Sequence, residues 1–220
     1  MVGLVGLSAL GLGSPAAHAE GCVAAGFDGP LFAAGTFTAE ASVDGDDEDE
    51  DDDVEGLKGA GFRLAGALDC DQEHDVYLTF GFVNQYKPDL DSEGYFELGS
   101  VIRLGGLYET KIADMGPVPL MVRVRAGLHS LNPKGDFDDL LDFLDEDDGR
   151  RWGMYAGGGA GAQYYFDEAQ KIGIGADLGL SWHHWWLVDF EDEVNDVDYE
   201  YRLRGGFLET TLGIEGRLRF

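Results

Sequence analysis

Residues 199–220 alternate apolar and polar side chains to the end of the chain. Leu208, Thr210, Leu212, Ile214, Gly216, Leu218 and Phe220 fall on one side of a two-residue repeat, and Glu209, Thr211, Gly213, Glu215, Arg217 and Arg219 on the other. Period two is the repeat of a β-strand, whose successive side chains leave opposite faces. A strand this long, with an apolar ridge opposite a charged one and no later segment to cover it, needs an apolar solvent outside. Lipid is the expected solvent.

Seven earlier segments repeat the pattern. Residues 31–43 set Leu31, Ala33, Gly35 and Phe37 against Thr36, Thr38 and Glu40, and residues 58–68 set Phe62, Leu64 and Leu68 against Arg63. Residues 76–86 turn Val76, Leu78, Phe80 and Phe82 outward and Tyr77, Thr79 and Gln85 inward. Residues 96–112 oppose Phe96, Leu98, Ile102, Leu104 and Tyr108 to Glu97, Arg103, Glu109 and Lys111. Residues 120–131 are the most diagnostic, because Leu120, Val122, Val124, Ala126 and Leu128 alternate with Met121, Arg123, Arg125, Gly127 and His129. One arginine on a lipid face at mid-bilayer costs about 2–4 kcal/mol, so two of equal parity set the register. Residues 152–166 and 171–188 complete the set, with Tyr155, Gln163, Tyr165, Asp177, Ser181 and His183 inward.

The connections add an independent signal. Acidic stretches at 44–53, 136–148 and 189–200 read as long loops, with a middle-length one at 87–91, whereas the intervening turns are short. Long loops outside and short turns inside are the pattern of transmembrane β-barrels. The expected fold is all-β, an eight-stranded antiparallel up-and-down transmembrane barrel over 31–220. Residues 20–30 are expected as a periplasmic N-terminal segment. Residues 1–19, an apolar run ending in Ala17-His18-Ala19, read as a cleaved export signal. The mean hydropathy of -0.18 is compatible with a barrel, because lipid-facing and lumen-facing residues cancel in the average.

A formal net charge of -28 disfavours nucleic acid as a partner by simple repulsion. The inward parity collects Glu40, Arg63, Glu97, Arg103, Glu109, Arg123, Arg125, Asp177, Glu209, Glu215 and Arg217, with Lys111 and Arg219 besides. An eight-stranded barrel is only wide enough inside for side chains, so these charges are expected to plug the lumen rather than line a pore. Phe96, Tyr108, Trp152, Tyr164, Trp182 and Trp186, with His184 and Trp185, are expected in two interfacial girdles. Cys22 and Cys70 fall at one end and, after export, are expected to form a disulfide. Asp44, Asp46, Asp47, Asp49 and Asp51 suggest loose Ca²⁺ or Mg²⁺ binding by carboxylate oxygens; no other cofactor is implied. Phe137, Leu140, Leu141 and Leu144 have helical spacing, which predicts a short amphipathic helix across the mouth.

Residues 199–220, with a terminal aromatic preceded by alternating apolar residues, resemble the closing strand of bacterial outer-membrane β-barrels. Glu215 stands where that pattern usually has glycine. The chain is similar to the small eight-stranded group that includes the OmpA transmembrane domain, OmpX and OmpW. That resemblance implies a monomer in the outer membrane among lipid and lipopolysaccharide, with Leu218 and Phe220 read by the barrel-assembly machinery. It implies a structural, surface-interaction or small-solute permeation role rather than an enzyme. The alternative is a lipid A-modifying hydrolase using Ser181 and His183, whose shared parity on one strand invites that comparison.

Overall fold

A computed structural model describes residues 21–70, 73–116, 118–144, 146, 149–194 and 197–220, so the expected export signal lies outside the described residues. The elements are β1 (Cys22–Val43), β2 (Asp46–Cys70), β3 (His74–Leu90), a short β4 (Gly94–Tyr95), β5 (Gly99–Met115), β6 (Val118–Pro133), α1 (Asp136–Phe143), β7 (Arg151–Tyr165), β8 (Ile172–Val194) and β9 (Val197–Arg219). Eight long strands pair antiparallel around a ring, and β9 closes on β1 from Cys22↔Arg219 to Val43↔Tyr199. Closure gives every long strand a neighbour on both sides, as strands that cross a bilayer require. Among the described residues no helix is long and apolar enough to do so.

Side-chain direction follows the expected parity over most of the wall. On β6, Val124 and Leu128 are exposed while Met121, Arg123 and His129 are buried, and β9 alternates strictly from Leu203 to Arg219. Bulky inward residues of β6 are accommodated by β7, where Arg123 lies opposite Gly159, Arg125 opposite Gly157 and His129 opposite Gly153. A Cβ on Gly153 would stand 2.1 Å from His129 Nε2, so the ring occupies the space glycine leaves.

Three expectations are corrected. First, β1 begins at Cys22 and carries a bulge between Pro30 and Phe32. Proline supplies no N–H to the ladder and favours such irregularities. The bulge reverses parity, so Leu31 and Phe32 are both exposed while Ala33 and Phe37 turn inward. Second, a bulge between Val83 and Tyr86, with Gln85 at φ 54°, turns Gln85 out and Tyr86 in.

Third, the acidic run at 44–53 is not a loop. β1 and β2 continue as a paired ribbon to Val43↔Asp46, joined by Asp44 and Gly45 at φ 53° and 86°. Both turn residues have the left-handed φ of a tight hairpin, for which Asp-Gly is a preferred sequence. Most acids of β2 lie opposite neutral residues of β1, as in Thr38↔Asp51, Ala39↔Glu50 and Ala41↔Glu48, so cross-strand repulsion is limited. β8 and β9 likewise pair out to Val194↔Val197, so most of the expected 189–200 loop is strand.

The seam between β1 and β2 is interrupted. β1 and β2 pair up to Asp28↔Gly61 and resume at Gly35↔Val54, leaving 29–34 and 55–60 without mutual pairs. Bulges of both strands, at Pro30/Phe32, Val54/Gly56 and Lys58/Ala60, cluster around this stretch.

Cys22 and Cys70 form a disulfide with a Cα–Cα separation of 6.1 Å, beside Ala24, Ala65, Tyr77 and Leu107. The exported protein should therefore migrate differently on reducing and non-reducing gels. Alkylation of both thiols without prior reductant would contradict the bridge.

Candidate functional site

The lumen is filled in two layers that the strands deliver from different stretches of the same parity. The layer nearer Cys22, Cys70 and Phe220 is ionic. Arg123 donates from Nε to Glu109, from Nη1 to Asp177 and from Nη2 to Glu215. Arg63 donates to Asp177 at 3.2 Å and Glu215 at 3.0 Å, and sits 3.4 Å from Asp28. Arg217 bridges Glu109, Asp75 and Glu215, and Arg219 donates to Asp75. One step further along, Arg103 and Tyr86 both donate to Glu209, while Arg125 donates to Ser181 Oγ and Thr211 Oγ1, each at 2.8 Å.

Six arginines (63, 103, 123, 125, 217 and 219) therefore share the lumen with six carboxylates (Asp28, Asp75, Glu109, Asp177, Glu209 and Glu215), and all but Arg125 pair with one directly. Buried charges of this kind persist when paired and hydrogen-bonded, and removing one partner is far costlier than the pair is stabilising. A cavity of about 40 Å³ lined by Asp28, Arg63, Arg103, Arg125 and Ser181 lies between the two groups, room for a few waters.

The second layer is apolar. Phe37, Tyr86, Leu98, Val101, Leu131, Trp185, Leu187, Leu203 and Phe207 pack together, and α1 drops Phe137 and Leu141 into the same cluster. Trp185 stacks on His129 with ring centroids 3.6 Å apart. The helix expected at 136–144 is thus a lid on this layer. Its N-terminal turn holds Asp136, Asp138 and Asp139, which favours the positive end of the helix dipole. Asp136 also accepts a hydrogen bond from the Glu97 amide at 2.7 Å.

Several expected site residues lie elsewhere. Glu40 falls beyond the β1 bulge, opposite Asp49 and Arg202, outside the lumen network. Glu97 sits beside α1 and pairs with Lys87. Phe96 packs against the apolar cluster, so it is not a girdle residue, and Trp185 is fully buried. Tyr108, Trp152, Tyr164, Trp182 and Trp186 are exposed on the outer wall, as girdle positions require. Lys111 pairs with Asp114. Asp28 and Asp75 are network members that the strand boundaries at 31 and 76 had excluded.

Ser181 and His183 face inward and are 1% exposed. Ser181 Oγ accepts from Arg125, and His183 Nε2 lies 3.2 Å from Glu209 Oε2 outside hydrogen-bonding geometry. Among the described residues no hydrogen bond joins Ser181 to His183. A buried pair without that bond has neither an activated hydroxyl nor a path for lipid. Asp44, Asp46, Asp47, Asp49 and Asp51 are spread along the ribbon. Among the described residues the one close grouping of metal-ligand atoms is Cys22, Cys70 and Asp75, and its two sulfurs are bonded to each other.

Apolar side chains including Phe27, Phe62, Leu64, Leu78, Leu104, Val124, Leu128, Leu178, Leu180, Leu212 and Ile214 are exposed on the outside of this ring, while its charges are inside. The chain is a transmembrane β-barrel. Short turns at the end near Cys70 and long hairpins at the other are the arrangement of outer-membrane barrels, so the acidic ribbon is extracellular and the ionic layer periplasmic. No protein-family profile and no curated protein matches the chain. Solved structures similar to it include Neisserial surface protein A, at 14% identity and TM-score 0.43, covering 91% of this chain and 97% of that one. The outer membrane protein OprG from Pseudomonas aeruginosa is similar at 9% identity and TM-score 0.42, covering 90% and 95%. The outer membrane protease OmpT from Escherichia coli is similar at 12% identity and TM-score 0.37, covering 90% and 97%.

Proposed function

We propose that this barrel is a sealed, non-enzymatic scaffold that presents carboxylate-rich hairpins at the cell surface, where divalent cations bridge them to lipopolysaccharide phosphates. The supporting observation is the contrast between lumen and exterior. The lumen set is balanced, so the whole formal charge of -28 resides elsewhere, much of it on the ribbon between Asp44 and Asp53. On the outer face of the paired hairpins, Arg202 alone reaches Asp189, Glu191 and Glu200, which leaves Asp47 and Asp49 beside it without a basic partner among the described ion pairs.

Carboxylates this dense repel over a Debye length of about 10 Å at 0.1 M salt, and divalent ions relieve that better than the same ionic strength of Na⁺. Millimolar Ca²⁺ should therefore slow cleavage of the ribbon at Glu48 and Glu50 by a glutamate-specific protease severalfold, with the barrel's β-sheet circular dichroism unchanged. Equal cleavage in Ca²⁺ and in NaCl of matched ionic strength would refute cation organisation. The filled lumen predicts no single-channel conductance in planar bilayers; discrete openings would refute the sealed reading.

A further inference from the structure

The extracellular end of the barrel holds a cavity that the surface reading does not use. Its volume is about 250 Å³, and its walls include Phe37, Leu98, Leu187 and Leu203 from the barrel and Leu140 from α1. Glu50, Asp51, Asp52 and Glu93 belong to the same lining, Asp52 half-buried and the others exposed at its rim. The ladder explains why carboxylates meet an apolar wall here. Phe37 pairs with Asp52 and Ala39 with Glu50, so these two acids share the inward face of the ribbon, while Asp51 between them accepts a hydrogen bond from Thr38 at the rim.

These acids have no counter-charge inside the cavity. Asp52 accepts hydrogen bonds from the Ser92 amide and hydroxyl. Among the described ion pairs none involves Glu50, Asp52 or Glu93, and three basic side chains of this end are engaged elsewhere. Arg202 serves Asp189, Glu191 and Glu200, Lys87 serves Glu97, and Lys58 lies 3.3 Å over the Tyr95 ring. Tyr201 also lines the cavity, and its phenol is raised above its usual pKa first by burial and then by the Glu50 carboxylate.

We propose that this vestibule binds a small organic ammonium ion, its aryl or alkyl body against Phe37, Leu140 and Leu203 and its charged head against Glu50 and Asp52. The chemistry selects this class over its neighbours. A strongly hydrated Mg²⁺ or Ca²⁺ wants six or more oxygens, which an apolar wall does not supply. A neutral apolar molecule would leave the carboxylates at the rim without a counter-charge, and an anion would be repelled. An ammonium on an apolar stem satisfies both halves, because pockets of this kind take their affinity from the apolar wall and their specificity from a few placed charges.

The test uses the exported chain in zwitterionic lipid nanodiscs, titrated calorimetrically with phenethylammonium and, in parallel, with the neutral phenethyl alcohol. Phenethylammonium should bind saturably with one site, and the alcohol about tenfold or more weaker, the worth of a hydrogen bond to a charged group. The Glu50→Gln/Asp52→Asn variant alters only the extramembrane ribbon and should lose a similar factor for the ammonium while leaving alcohol binding unchanged. Leu140→Trp should fill the cavity and abolish both. No saturable heat with phenethylammonium, equal affinity for the two probes, or an ammonium affinity unchanged in a folded Glu50→Gln/Asp52→Asn variant would each overturn the proposal. The vestibule stands apart from the Ca²⁺-organised surface: loss of Ca²⁺ protection with retained phenethylammonium binding would remove only the latter.

Discussion

Arg123→Leu is expected to destabilise the folded barrel by about 3–5 kcal/mol, and Arg125→Leu by far less. The two arginines share a strand and a parity and differ in what they touch. Arg123 is hydrogen-bonded through all three guanidinium nitrogens to Glu109, Asp177 and Glu215, each of which is buried. Its removal leaves three buried carboxylates converging, and only Arg63 and Arg217 remain to share them. Arg125 meets two hydroxyls, which lose a donor and keep their own hydrogen-bonding capacity. Urea unfolding in lipid vesicles measures the difference. Between them lies Val124, 55% exposed to lipid, where Val124→Arg should cost about 2–4 kcal/mol. Equal losses at 123 and 125 would mean that the ionic layer is not built around Arg123.

How much of this was legible beforehand depends on which physical signal each residue carries. The register of β6 to β9 was readable because charge and apolarity alternate there, and a charge on the lipid face is too costly to misplace. The same logic identified most of the ionic layer. It failed where a strand carries little contrast. In β1, Ala33, Gly35, Phe37, Ala39 and Ala41 follow the parity of Leu31, so nothing in the pattern announced that the bulge at Pro30 moves them to the other face. The proline was the available clue. The acidic run was misread because charge density outweighed the Asp-Gly pair at 44–45, although that dipeptide is a strong short-range hairpin signal and the neutral residues of β1 could accept the acids opposite them. The apolar layer was hidden because alternation disappears when both faces are apolar. Trp185 and Trp186, and Phe207 and Leu208, each put an inward apolar residue beside an outward one, and a girdle explained both tryptophans without requiring Trp185 to turn inward. The only sign of a filled upper lumen was α1, whose apolar stripe needed something to pack against.

That distinction supplies the second large effect. Trp185→Ala should cost about 3–5 kcal/mol, the range for deleting a large aromatic from a packed interior. Trp186→Ala should cost substantially less. Trp185 is fully buried, stacked on His129 at 3.6 Å and close to Tyr86 at 5.9 Å, so its removal opens a void at the junction of the apolar and ionic layers. Neighbouring side chains are held by ladders on both sides and cannot collapse into it. Trp186 is 44% exposed on the outer wall, edge-on to His184 at 4.8 Å, and its loss removes an interfacial anchor without leaving a cavity. Gly153 offers a check that keeps both tryptophans. It lies opposite His129 on one side and Trp185 on the other, and a methyl group there would collide with the imidazole and with the His184 carbonyl oxygen. Gly153→Ala should therefore lower the urea midpoint in the same direction as Trp185→Ala, and the double variant should lose less than the sum of the two, because alanine at 185 gives the displaced His129 ring somewhere to go. Strict additivity, or a larger loss at Trp186 than at Trp185, would place the stacked pair outside the core described here.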